Sequence, residues 1–85
     1  MSGEINRRVE DATAVMQALW DAYEPGSISA NQVDGISVEY ADWRFNLRAS
    51  NTEPVIRLNV EARGDRDLLN QKTDELLNQI GGSSA

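Results

Sequence analysis

The 85-residue sequence has no cysteine, no histidine, two prolines, five aromatic residues and a single lysine. Without cysteine there are no disulfides and no thiolate metal sites. Without histidine there are no imidazole ligands, no histidine general bases and no Ser-His or Cys-His triad. A zinc or iron site would have to be built from carboxylates alone, a poor donor set for either metal. No apolar run exceeds four residues, against the roughly 20 that span a bilayer, and no charged-then-apolar leader is expected. A cytoplasmic protein is therefore the expectation. Fourteen acidic residues against eight basic ones give a net charge of −6, which argues against nucleic acid or an anionic membrane as partners of the whole surface.

What is present describes one small acidic domain, with 40% hydrophobic and 26% charged residues. A chain of this length buries roughly 60% of its unfolded surface around a single core. The charge is uneven. From Trp43 to Arg63 there are four arginines (Arg44, Arg48, Arg57, Arg63) against two glutamates (Glu53, Glu61), so this stretch is +2 and the remainder −8. Seven of the eight basic residues are arginine, whose planar fork suits bidentate binding of phosphate or carboxylate. On composition alone codon usage is the favoured explanation.

Val9, Ala12, Val15, Met16, Leu19, Trp20 and Tyr23 recur at three- and four-residue steps and predict an amphipathic helix, with Asp11 as N-cap and a stop before Pro25-Gly26. Ahead of it, Glu4 to Val9 reads as a short extended segment, and Glu24 to Asn31 reads as a loop. The period then changes to two. Ile36, Val38 and Tyr40, then Trp43, Phe45 and Leu47, then Ile56, Leu58 and Val60 alternate with polar residues, predicting three half-buried strands. Ala41-Asp42 is a two-residue turn between the first pair. Asp65 or Asp67 caps a second helix with the apolar face Leu68, Leu69, Leu76, Leu77 and Ile80, ending at Gly81. The expected fold class is α+β, a small antiparallel sheet of about four strands with two helices on one face. Residues 1–80 form the domain, and residues 81–85 have the composition of a disordered tail. Trp20 and Tyr23 read as core. Asp65, Asp67, Asp74 and Glu75 read as caps and solvated helix surface.

Between the second and third alternating strands lies Arg48-Ala49-Ser50-Asn51-Thr52-Glu53-Pro54. Pairing Leu47 with Ile56, Phe45 with Leu58 and Trp43 with Val60 sets inward residues against inward residues. It places Arg48 and Arg57 together on the polar face near the loop. Ser50, Asn51 and Thr52 add hydroxyl and amide donors and consecutive backbone N–H groups that a tight turn can converge on an anion. Arg48, Ser50, Asn51, Thr52 and Arg57 are thus the candidate phosphate-binding residues. A plain polar hairpin loop is the alternative, because Ser, Asn and Thr are common turn residues.

That loop, followed by Val55-Ile56-Arg57-Leu58-Asn59-Val60-Glu61-Ala62, closely resembles the C-terminal phosphate-binding loop and following strand of the phosphohexomutases. Asn51, the lead-in Trp43-Arg44-Phe45-Asn46-Leu47-Arg48 and Asp34-Gly35-Ile36-Ser37-Val38 are most similar to the bacterial phosphomannomutase and phosphomannomutase/phosphoglucomutase branch. Relatives acting on glucosamine phosphate tend to carry Gly at the Asn51 position. Ser2-Gly3-Glu4-Ile5-Asn6 resembles the stretch leading out of the third domain, so the likeness covers nearly the whole chain. It implies the fourth, mobile domain of a four-domain enzyme, with a fold like that of the TATA-box-binding protein. On that resemblance Arg48, Ser50, Asn51 and Thr52 hold the non-reacting phosphate of a mannose or glucose 1- or 6-phosphate; Arg57 follows from the strand register. The phosphoserine nucleophile and Mg²⁺ belong to the other domains of the same enzyme. The isolated chain, with no catalytic or metal-binding residue of its own, is expected to bind weakly without turnover. The competing expectation is a stand-alone ferredoxin-like module that binds RNA or protein through its outer sheet face.

Overall fold

Alternation dictates which side of each strand turns inward, and the alternating segments form the centre of one sheet. The computed structural model describes residues 4–32, 35–50 and 52–84. In it β1 spans Glu4–Arg8, α1 Ala12–Tyr23, β2 Ser29–Asn31, β3 Ile36–Glu39, β4 Trp43–Ala49, β5 Val55–Ala62, α2 Arg66–Ile80 and β6 Ser83–Ser84. The strands pair antiparallel in the order β2-β3-β4-β5-β1-β6. α1 packs on β3 and β4, and α2 on β5. This is the expected α+β layer, with six strands in place of about four. The two additions are short polar edges: β2, inside the stretch read as a loop, and β6.

Both helices start as their sequences dictate. Asp11 accepts from the Ala14 N–H at 3.1 Å and Asp65 from the Leu68 N–H at 3.0 Å, each satisfying an amide the first turn leaves without a partner. Leu19 from α1 and Leu76 and Ile80 from α2 close over Ile36, Val38, Phe45, Leu47, Ile56, Leu58 and Val60. Trp20 and Tyr23 pack against this core, as expected of them.

The β4–β5 register departs from expectation. Leu47 pairs with Leu58, Phe45 with Val60 and Trp43 with Ala62, a shift of two residues that preserves which side chains face inward. The expected register would have set Pro54 opposite Ala49 inside the ladder, and Pro54 has no N–H to donate there. The ladder instead closes with the Ser50 N–H donating to the Val55 carbonyl at 2.9 Å, leaving Pro54 in the loop.

Within the stretch read as a tail, Gly81 ends α2 at φ 69°, Gly82 follows at φ 71°, and Ser83 and Ser84 pair with Arg8 and Arg7; Ala85 lies outside the described residues. The edge of β1 offers a ladder that two residues can join once paired glycines turn the chain back. Arg7, on the helix side of β1, donates to the carbonyls of Gly81 (3.2 Å) and Gly82 (3.4 Å), placing a cation where the C-terminal dipole of α2 favours one. Because strand side chains alternate, Arg8 is turned to the opposite face.

Candidate anion site at the β4–β5 loop

Away from the helices the sheet presents a polar face whose character changes along the strands. At the β3–β4 hairpin end, Arg44 lies between Glu39 and Glu61 and makes a two-pronged pair with Glu61, Nε at 2.9 Å and Nη2 at 2.8 Å from Oε2. The middle is neutral: Asn46 pairs with Asn59, and its amide donates to the Ser37 hydroxyl at 2.9 Å. A polar cleft of about 370 Å³ runs over both. Glu39 and Glu61 stand in its wall, with Arg44 bound to Glu61. At the other end, beside the loop, Arg48 and Arg57 are direct cross-strand partners.

The loop is organised by Ser50. Its Oγ accepts from the backbone N–H groups of Thr52 and Glu53, both at 3.3 Å, and lies 3.4 Å from the Thr52 hydroxyl. Two consecutive amides donating to one hydroxyl oxygen make a serine turn, which fixes the shape of the loop. Beside it opens a cleft of about 290 Å³ lined by Asn6, Arg8, Ser50, Thr52, Glu53, Val55 and Arg57. Of the residues singled out in the sequence, Ser50, Thr52 and Arg57 therefore share one cleft. Arg48 stands on the same face at the rung opposite Arg57, outside the cleft lining. Asn51 lies outside the described residues. Sequence reasoning missed Asn6, Arg8 and Glu53. Ile5 and Val9 pointing inward already implied that Asn6 and Arg8 point outward; which strand β1 pairs with was the missing information.

Two further features position the site. The Val9 N–H donates to the Pro54 carbonyl at 2.8 Å, tying the end of β1 to the loop. Gly35, at φ 80°, lies so close to β4 that a Cβ would overlap the Leu47 carbonyl oxygen and sit 3.1 Å from both Cα and Cγ of Arg48. Only glycine lets that turn approach the base of the Arg48 side chain.

The aromatic residues lie elsewhere. Trp43 and Phe45 are buried on the helix side, where Tyr40 stacks on Trp43 at 4.7 Å and Tyr23 meets Phe45 edge-on at 5.4 Å. The Tyr23 hydroxyl donates to Glu75 at 2.7 Å, and that of Tyr40 donates to the Tyr23 carbonyl. Burial, and then Glu75, push the Tyr23 hydroxyl above its ordinary value; burial does the same for Tyr40, with Glu75 second. Among the described residues the polar face thus offers no aromatic platform on which bases could stack, and the RNA-binding expectation is not favoured.

Sequence comparison decides the family. Residues 4–79 match the family described as phosphoglucomutase/phosphomannomutase, C-terminal domain. The chain belongs to this family. Among phosphoglucomutase/phosphomannomutase relatives, it is 54% identical over 76 residues to a phosphomannomutase of Escherichia coli, covering 89% of this chain and 17% of that protein. It is 49% identical over 81 residues to a protein of Xanthomonas campestris named phosphohexose mutases, covering 95% of this chain and 18% of that protein. A solved phosphoglucomutase/phosphomannomutase family protein from Burkholderia thailandensis superposes with a TM-score of 0.65 at 29% identity, over 95% of this chain and 18% of that one. The chain thus spans under a fifth of the length of these relatives. Among the described residues no three acidic side chains gather where they could hold a metal ion.

Proposed function

We infer that this domain grips the non-reacting phosphate of a hexose phosphate, within a phosphomannomutase that interconverts mannose 6-phosphate and mannose 1-phosphate through a hexose 1,6-bisphosphate. The observation that carries the reading is the gathering of the Ser50 and Thr52 side chains and Arg57 in one cleft, with Arg48 on the cross-strand rung beside it. Hydroxyl and guanidinium donors around one small opening suit a tetrahedral anion. Relatives named phosphomannomutase supply the substrate class.

In this reading the phosphoserine nucleophile and Mg²⁺ reside in domains outside this chain. The clamp's work is positional. A sugar phosphate presents either of two ends to the reacting centre, so the distal phosphate needs a grip that holds in both orientations. Binding energy taken from that remote group fixes the reacting end and helps to exclude water. A hinged last domain can loosen while the bisphosphate turns and then close again. A phosphate clamp does not read the configuration at C2, so mannose and glucose phosphates fit it alike. Alone, the chain binds phosphosugar weakly and turns nothing over.

Arg48→Ala in the full enzyme tests the assignment. Turnover should fall far more than stability. Equal losses in activity and in unfolding free energy would make Arg48 a structural residue and overturn the reading.

A further inference from the structure

The cleft beside the loop holds a second guanidinium from outside the loop and its following strand, together with the one carboxylate in its lining. Arg8 and Glu53 both line it, and Arg8 Nη2 lies 4.0 Å from Glu53 Oε2. Resting on the phosphate-site reading above, we propose that Arg8 is a phosphate-binding residue of this site and that Glu53 is its resident counter-ion, which an arriving phosphate must displace.

The position of Arg8 is built. Arg7 is committed to the end of α2 on the helix side, so Arg8 points to the outer face that also carries Arg57. Its backbone pairs with Val55 on one side and Ser83 on the other, and the next residue, Val9, donates to the carbonyl of Pro54 in the loop. Strand and loop are therefore held together by backbone pairing, which keeps the Arg8 guanidinium at the cleft it lines. The contact with Glu53 is open to water on both sides, with the side chains 54% and 62% exposed. Exposed pairs at this separation are weak, so exchanging one carboxylate for a doubly charged phosphate is favourable. Arg8 and Arg57 against Glu53 leave a net single positive charge in the lining. With Arg8 released from Glu53, its guanidinium and that of Arg57 together match the charge of a phosphate monoester dianion. Glu53 then disfavours anions with too little charge to displace it, such as a sulfate monoester.

The test is a calorimetric or NMR titration of the 85-residue chain with methyl phosphate and, separately, methyl sulfate at pH 7.5. It is run on wild type, Arg8→Gln, Glu53→Gln, the double variant and Arg48→Gln. Loss of one charge-assisted contact should weaken methyl phosphate binding by about tenfold in Arg8→Gln. Glu53→Gln should tighten it about threefold and narrow the preference over methyl sulfate, and that gain should vanish when Arg8 is also replaced. If Arg8→Gln binds as wild type does while Arg48→Gln is weakened, Arg8 is not part of the site and this inference fails although the loop reading stands. If wild type binds neither anion, both fail. If Glu53→Gln tightens binding equally with and without Arg8, Glu53 acts by general repulsion and the counter-ion role is overturned.

Discussion

Arg48 and Arg57 face each other across β4 and β5 at the end of the sheet beside the loop, whereas four residues earlier on β4 Arg44 faces Glu61. Opposite charges are what cross-strand rungs ordinarily pair. One face thus carries a matched pair at its hairpin end and two like charges at its loop end.

The contrast separates two roles for arginine. Arg44→Gln should leave phosphate binding unchanged and cost at most about 1 kcal/mol of stability, the worth of an exposed pair with good geometry. Arg57→Gln should weaken phosphate binding about tenfold, the effect of one lost charge-assisted contact. Phosphate titration and thermal unfolding of the two variants side by side check this. Equal effects on binding would mean that the arginine reports only the overall charge.

Gly35 should be sensitive out of proportion to its size. Its positive φ alone makes Gly35→Ala strained, and the added Cβ would overlap backbone at Leu47 and crowd Arg48. A loss of about 1–3 kcal/mol is expected. Gly64, at φ 61° with open space where a methyl would stand, should cost only the conformational penalty, about 1 kcal/mol when replaced by alanine. Chemical denaturation of both variants measures the difference.

The Tyr23 hydroxyl, held neutral beyond its usual range by burial and by Glu75, makes stability fall at alkaline pH. The unfolded chain releases this proton near pH 10 while the folded chain keeps it, so the contribution is complete below pH 10 and is lost as pH rises further. Tyr40 acts in the same direction. Thermal melts at pH 8 and pH 11 should show a lower midpoint at pH 11. Tyr23→Phe should shrink that drop and, by removing the Glu75 hydrogen bond, cost about 1 kcal/mol at neutral pH.

Much of this architecture is legible in the chain. The alternation of Trp43, Phe45 and Leu47 and of Ile56, Leu58 and Val60 identifies the inward faces, and Asp11 and Asp65 mark the helix starts. The β4–β5 register is harder, because shifts of two residues keep every side chain on its face and only the missing N–H of Pro54 separates them. β2 and β6 are short and polar, and edge strands of that kind form because a neighbouring ladder is open to them, a property of the folded sheet. For the site the same limit holds. Ser50, Thr52 and Arg57 come from one continuous stretch and are visible together, whereas Arg8 joins them only through the β1–β5 pairing, which spans almost fifty residues of sequence.

The most direct test of the central claim is a backbone amide NMR titration of the 85-residue chain with mannose 1-phosphate to millimolar concentration. The account predicts saturable shifts at Ser50, Thr52 and Glu53, with the amides around Arg44 and Glu61 unmoved. Unmoved loop amides throughout the titration, or shifts confined to the Arg44–Glu61 end of the sheet, would contradict it.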